Sequence, residues 1–293
     1  MISGEKWEDR YINTKDRMLL TKTEFFIPGV RMFGHQKIHS AIESLNWHYH
    51  EDCFEFSIPA KGIFTFSTPE KDYPYSGGDV FISYPNEVHG TNSTPITIGD
   101  LYWFQLDSSD KGHFLYLNPD AAGELIRALN NISRHVIKTD IKKMLPLIKE
   151  AFQYGQDPQT SQLAAACLQL FLHLLINYAQ KAPALISPDI QRSLDYIREH
   201  VTSEITLERL ASISHLSCSQ FKQKFKKQLG VPPRQYMNQQ KIEYSKKMLA
   251  EGKSVTETAM LLNFSTCGYF STVFKKYTLY SPGDYLKHMR SCH

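Results

Sequence analysis

The hydrophobic pattern changes character along the chain. From about Lys22 to Asp107, aromatic and β-branched residues come in short runs broken by Pro28-Gly29, Ser76-Gly77-Gly78-Asp79, Pro85-Asn86 and Asn92 to Pro95. Short apolar runs with regular turn signals predict the strands of a small barrel or sandwich. Gly78-Asp79 ahead of Val80-Phe81-Ile82 reads as a turn entering a buried strand. After Pro119 the period becomes helical, over Ala121–Leu129, Ile141–Phe152 and Ser161–Tyr178. In the last of these, Leu163, Cys167, Leu170 and Leu174 form one seam, flanked by Phe171, Leu175 and Tyr178. A stripe that wide either docks on the barrel or pairs with a second copy of itself. Ser187 then Pro188 give an N-cap followed by proline at the first helical position. Ile190, Leu194, Ile197 and Val201 continue that helix, and the pattern stays helical to about Met289. The expected division is a mainly-β domain with trailing helices over 1–182, a linker over 183–189 and an all-helical domain over 190–293.

The helical domain repeats itself at an offset of 49 residues. Cys218, Phe221, Phe225, Lys226, Lys227, Pro233 and Tyr236 map onto Cys267, Phe270, Phe274, Lys275, Lys276, Pro282 and Tyr285. That many identities at one offset indicate a duplicated supersecondary unit. Each copy has helix-turn-helix anatomy, over 206–229 and 254–278. In the first, Thr206 caps a short helix, Ser214-His215-Leu216 make the turn, and Ser217 caps a second helix ending near Gly230. In the second, Ser254-Val255-Thr256-Glu257 predicts a capping box. Asn263 fits a left-handed turn position, and Thr266 caps the following helix. Tyr236 to Ala250 reads as the helix joining the copies. The phenylalanines at i, i+4 mark buried faces, which leaves Ser219, Lys222, Gln223 and Lys226 exposed in one copy and Cys267, Tyr269, Thr272 and Lys276 in the other.

Charge sharpens this reading. The chain has 293 residues, enough for two domains, and a net charge of +3. From Pro188 onward there are 16 basic and 9 acidic residues; the preceding part has 17 and 21. One half is thus suited to a polyanion. Small or hydrogen-bonding residues at the start of a helix, with lysines near its end, suit major-groove entry flanked by phosphates. The five cysteines are odd in number and form no C-x-x-C pair, which excludes a disulfide scaffold and fits a reducing cytoplasm. Met1 to Tyr11 has no apolar core of a secretory leader, and Leu163 to Ile176 is too short to span a bilayer, so a cytoplasmic protein without a membrane partner is expected.

At these residues the sequence resembles the AraC-type (AraC/XylS) transcriptional regulators. The pattern runs from the first helix-turn-helix through Phe225-Lys226-Lys227 and Gly230 to Asn263-Phe264-Ser265, Tyr269-Phe270, Phe274-Lys275-Lys276 and Ser281-Pro282. It departs from the family at Asn263, usually Gly, and at Thr258, usually aliphatic. The resemblance implies a bacterial transcription factor, usually an activator, whose two recognition helices enter successive major grooves. It also implies RNA polymerase and a second copy of the chain as partners, beside double-stranded DNA. The expected DNA contacts are Ser217, Ser219, Lys222, Gln223, Lys226, Thr266, Cys267, Tyr269, Thr272, Lys275 and Lys276.

The first half carries a second candidate site. His48-Tyr49-His50, Glu55 and Gly62 have the spacing H-x-H-x4-E-x6-G, which resembles the first cupin motif; Gly78, Pro85 and His89 approximate the second, with Glu87 near the place of a glycine. On a strand His48 and His50 point the same way. His48, His50, Glu55 and His89 are candidate ligands for Zn, Mn, Fe or Ni. The same four with Trp103 are also candidates for a pocket holding an organic effector, which the resemblance to sugar regulators makes a carbohydrate, or for inert packing. No cofactor is required by this reading. It expects an effector-responsive, non-enzymatic regulator; the alternative is a metal-dependent cupin enzyme fused to a DNA-binding tail.

Overall fold

The computed structural model describes residues 4–6, 13–109, 112, 114–181 and 186–291. Most of Met1 to Tyr11, positions 183–185 of the expected linker, and Cys292 lie outside them. Two units are present, one within 1–38, 44–94 and 99–184, the other within 39–43, 95–98 and 185–293.

The first unit contains strands β1 (Glu5–Lys6), β2 (Arg17–Thr21), β3 (Val30–Ile38), β4 (His48–Tyr49), β5 (Cys53–Ser67), β6 (Asp72–Ser76), β7 (Asp79–Ser83), β8 (Gly99–Asp107) and β9 (Val136–Lys138). The main sheet runs β2-β3-β8-β5-β7-β9, with β6 paired to the far half of β5, while β1 pairs with β4. Neighbours in the main sheet are antiparallel. Pro59 in β5 has no N–H to give, and the register with β8 shifts between Pro59 and Lys61. Gly62 follows with φ +111, so the glycine of the motif serves a bend in the strand.

Alternation gives this sheet two unlike faces. Phe54, Phe56, Ile58, Val80, Ile82, Phe104 and Leu106 bury one face in a core shared with three helices, α1 (Pro119–Asn130), α2 (Ile141–Tyr154) and α3 (Ser161–Gln180). Glu55, Ser57, Ser83 and Gln105 are buried on the other face together with Phe81, which lies between Val80 and Ile82. The mainly-β expectation holds, and the helices lie close to their expected spans.

Helix α3 divides the apolar stripe between packing and exposure. It buries Ala164, Ala165, Leu168, Phe171, Leu172 and Leu175, with Phe171 edge-on to Phe104 at 5.7 Å. Only part of the seam of Leu163, Cys167, Leu170 and Leu174 docks: Cys167 and Leu174 pack against the core, whereas Leu163 is 56% and Leu170 50% exposed. Small Ala164 and Ala165 allow close approach to the sheet, and this selects a face one residue removed from the leucine seam. With the preceding turn, Pro158–Gln180 is 23 residues, long and apolar enough to cross a membrane by length and composition, contrary to the length argument made on Leu163 to Ile176. Its buried face shows instead a core helix of this unit.

The second unit contains α4 (Pro188–Glu199), α5 (Leu207–Ile213), α6 (Cys218–Leu229), α7 (Pro233–Ala250), α8 (Val255–Leu261), α9 (Cys267–Thr278) and α10 (Pro282–Ser291). It has two small cores. Phe221 and Phe225 join Ile190, Leu194, Ile197 and Leu210 in one; Phe270 and Phe274 join Ile242, Leu249 and Ala259 in the other. The duplication extends to geometry. Phe225 meets Tyr236 at 5.6 Å and 73°, and Phe274 meets Tyr285 at 5.4 Å and 71°. Helix α7 joins the copies, packing Tyr236 and Met237 on the first core and Ile242 and Leu249 on the second.

The turns repeat as well. Leu216 N–H donates to Ala211 O, and Phe264 N–H to Ala259 O, each closing a helix through a left-handed residue, His215 (φ 54) or Asn263 (φ 54). These positions are 48 apart, whereas the caps Ser217 and Thr266 are 49 apart; Ser265 is one extra residue in the second turn. Asn263 holds the expected conformation, and its side chain donates to Thr202 O at 2.6 Å. The capping box falls in the other copy. Ser217 Oγ accepts from Gln220 N–H, and Gln220 Oε1 accepts from Ser217 N–H. At Ser254 only the serine half forms, and Glu257 lies 3.6 Å from Lys253 instead.

Thr258 occupies the place that Leu210 holds in the first copy. It is completely buried, and its hydroxyl has no hydrogen-bond partner. An unsatisfied buried hydroxyl costs about 1–3 kcal/mol. Thr258→Val keeps the shape and removes the hydroxyl, so it should stabilise the second unit by about 1 kcal/mol. Urea unfolding of the full chain, followed at transitions assigned by hydrogen exchange, checks this; an unchanged or lowered midpoint refutes it.

Candidate nucleic-acid interface and buried histidine cluster

The second helix of each repeat is held by its buried phenylalanines and capped by a hydroxyl, Ser217 or Thr266, that accepts from the third residue of the helix. The opposite face is therefore outward. On α6, Ser219, Lys222, Gln223, Lys226 and Lys227 are exposed, as is the cap Ser217. Lys224 is half-buried and paired with Asp189 at 2.5 Å; that hydrogen bond holds the Asp189 carboxyl at about 2. Lys222, Gln223, Lys226 and Lys227 make no side-chain hydrogen bond or ion pair among the described residues, so their donors face outward uncommitted.

On α9, Tyr269, Thr272, Lys275 and Lys276 are exposed, as is the cap Thr266. Two of the polar groups on this helix are already engaged. Thr272 Oγ1 donates to Gly268 O at 3.0 Å, and Ser271 Oγ to Cys267 O at 3.0 Å. Cys267 is half-buried, and its sulfur accepts from Thr256 Oγ1 at 3.8 Å. The expected contact residues thus lie on the outward faces of two corresponding helices, with Cys267 set back.

Sequence reasoning missed Arg234. Leu207, Lys222, Lys226, Pro232, Pro233 and Arg234 line a cleft of about 380 Å³ where α6 meets the start of α7. Three cations and the N-terminus of an 18-residue helix converge there, with no acidic side chain in the lining. Such a place favours a phosphate oxygen. The signal was present in Pro232-Pro233-Arg234, where proline begins a helix, but periodicity alone does not put that end beside α6.

In the first unit the four cluster residues come together. His48 in β4 exchanges two backbone hydrogen bonds with His89 at 2.9 and 2.8 Å, which brings their rings to 4.4 Å. The His50 ring is 5.1 Å from that of His48 and 5.2 Å from that of His89. Its Nε2 lies 2.6 Å from Glu55 Oε2, to which Gln105 also donates at 3.2 Å. All four residues are buried, and one ligand atom from each lies within 4.8 Å of the others. Burial pushes His89 down to about 3 and also lowers His48. Burial alone would raise Glu55, but the neighbouring imidazoles, His50 foremost, outweigh it and hold the carboxyl at about 2.

The tautomers follow from the acceptors. A carbonyl only accepts, so His48 Nδ1, 2.7 Å from Asn46 O, carries the proton, as does His89 Nδ1, 2.9 Å from Glu87 O and from Ser83 Oγ. Each of these imidazoles then has its lone pair on Nε2, and that of His89 is buried without a partner. Trp103 stands apart from the four. It shares their sheet face, opposite Ser57, but its indole lies on Gly34, where an added Cβ would be 2.1 Å away, and under the Arg17 guanidinium at 5.6 Å.

A duplicated pair of outward, capped, lysine-bearing helices defines a tandem helix-turn-helix protein. Comparison with known proteins agrees. Residues 210–288 match the family model described as "Helix-turn-helix domain". The probable transcriptional regulator LumQ of Photobacterium leiognathi is 34% identical over 92 residues, which cover 31% of this chain and 37% of that one. The HTH-type transcriptional activator RhaS of Shigella dysenteriae is 22% identical over 246 residues, covering 74% of this chain and 88% of that one. The solved DNA-binding domain of AdpA in complex with a target DNA is 22% identical with a TM-score of 0.35, covering 36% of this chain and 97% of that domain. The C-terminal domain is thus a helix-turn-helix domain of the AraC type, matched over residues 210–288.

Arg234→Ala should weaken DNA binding about equally on all sequences and lower the slope of log affinity against log salt by about one. Fluorescence anisotropy of the full chain over a salt series measures it. An unchanged slope means that the cleft does not hold a phosphate.

Proposed function

We propose that the chain is a sequence-specific transcription activator of the cytoplasm, in which α6 and α9 enter successive major grooves and the first unit binds a small molecule, a carbohydrate. The observation that carries the DNA-reading part is the pair of outward, lysine-bearing faces on repeat-related helices, α6 with its polar donors uncommitted. The effector reading is supported by the buried polar face of the sheet, where Glu55, Ser57, Ser83 and Gln105 sit opposite a wholly apolar one. The family resemblance supports the carbohydrate class and RNA polymerase as a partner.

The two reading helices are unequal. Lys222 suits guanine, and Gln223 pairs with adenine through two hydrogen bonds, each good pair discriminating by ~1–3 kcal/mol. On α9 the hydroxyls of Ser271 and Thr272 are spent on their own helix. Tyr269 offers apolar contact, while Lys275 and Lys276 supply phosphate contacts. Gln223→Ala should therefore relax the preferred sequence at one base pair, and Thr272→Ala should change little. Selection of binding sites from random duplexes by each full-length variant tests the ranking; a larger effect of Thr272→Ala inverts it.

The exposed part of the α3 seam supports homodimerisation. Leu163 and Leu170 lie one face away from the residues that pack on the sheet, so the seam is available to a second copy. Leu170→Glu should yield a folded monomer in sedimentation velocity. A dimer that persists in this variant would place the contact elsewhere.

A further inference from the structure

We propose that Asn263 is a positioning residue that fixes the angle between the two DNA-reading helices, and with it the spacing of the base tracts this chain accepts. This role rests on the reading of DNA by both α6 and α9 and adds what sets their separation. Asn263 lies in the turn between α8 and α9, three residues before the cap Thr266. Its φ of +54 is one that glycine adopts freely, so the turn itself requires no side chain at this position. The side chain that is present reaches out of its own repeat. Its Nδ2 donates to Thr202 O at 2.6 Å, across 61 residues of sequence. Thr202 belongs to the loop between α4 and α5, which is itself turned by a bond from Ser203 N–H to His200 O at 2.8 Å. One hydrogen bond thus joins the turn that launches α9 to the loop that launches the first helix-turn-helix.

A second contact crosses between the repeats beside it. Lys241 on α7 is half-buried and holds its Nζ 5.4 Å from the centre of the Phe264 ring, next in sequence to Asn263. Burial lowers the Lys241 ammonium, and the Glu204 carboxylate, on the same loop as Thr202, works against that by attraction. Phe264 in turn packs on the fully buried Phe270 of α9 at 5.1 Å. The loop over 202–204 therefore holds the second turn at two places. Its carbonyl takes the Asn263 amide, and its carboxylate attracts the cation that covers Phe264.

The need for such a strap follows from the cores. The two buried clusters have no residue in common, and α7 contributes to the edge of one and the centre of the other. Two bodies joined along one helix can twist about its axis. An attachment away from that axis opposes the twist. Asn263 supplies a directional bond there, which a glycine in the same conformation lacks.

The test measures binding of the full chain by fluorescence anisotropy to three duplexes. One is a site selected from random sequence; the others have one base pair inserted or removed between the two tracts protected from hydroxyl radicals. One base pair turns the second tract by about 35° and moves it by about 3.4 Å. The unmodified chain should lose about 30-fold on either altered duplex, the worth of one or two base contacts. Asn263→Gly keeps the turn and removes the bond, and should lose less than about 5-fold on them. Asn263→Asp tolerates the same turn but sets an acceptor against the Thr202 carbonyl, and should relax the spacing as Asn263→Gly does. Lys241→Gln should relax it in part, and Lys241→Arg, which keeps a cation over the ring, should restore it. Circular dichroism confirms that each variant is folded. If either Asn263 variant is as strict about spacing as the unmodified chain, the positioning role is overturned and the DNA reading stands. The same holds if the unmodified chain protects two tracts but binds all three duplexes equally. A single protected tract overturns both.

Discussion

Burial of two phenylalanines one turn apart governs the DNA-reading half of this chain. Phe221 and Phe225 are fully buried, as are Phe270 and Phe274, with ring separations of 5.4 and 5.6 Å within the pairs. An i, i+4 pair turns one face of a helix inward and thereby sends the opposite face outward. The outward face is then free of packing duties and can carry whatever side chains recognition requires. Each core also recruits the next helix, through Tyr236 or Tyr285 packed edge-on against the second phenylalanine. The same device used twice explains how one sequence pattern builds two readers.

The first unit solves a different problem. Its sheet is apolar on the side that meets α1, α2 and α3, and carries buried polar groups beside Phe81 and Trp103 on the other side. Buried polar groups are costly unless they are paired. Ser57 is paired with Tyr75, and Glu55 with His50 and Gln105. His89 Nε2 is the exception within the cluster.

Much of this was legible in the sequence, for reasons that can be stated. The H-x-H spacing placed His48 and His50 together, although β4 ends at Tyr49, and the turn chemistry of Asn263 held because few residues adopt positive φ. The repeat was legible because aromatic anchors and prolines recur at one spacing. Three features were not. Periodicity showed that α3 was apolar all round but not which stripe the sheet would take, since Ala164 and Ala165 matter by being small. Ser254-x-x-Glu257 and Ser217-x-x-Gln220 are equally valid capping patterns, and the choice fell on the copy whose third residue had no lysine to attract it. Arg234 joins Lys222 and Lys226 only through the angle between two helices, which no local pattern encodes. The extra residue at Ser265 hid inside the repeat because the anchors that define the offset lie after it.

Hydroxyl-radical footprinting of the full chain on a selected DNA site tests the central claim, that both repeats read the duplex together. Two recognition helices in successive major grooves predict two protected tracts on one face of the DNA, about 10 base pairs apart for each chain. A single protected tract per chain would mean that one repeat alone contacts DNA, and would contradict the account.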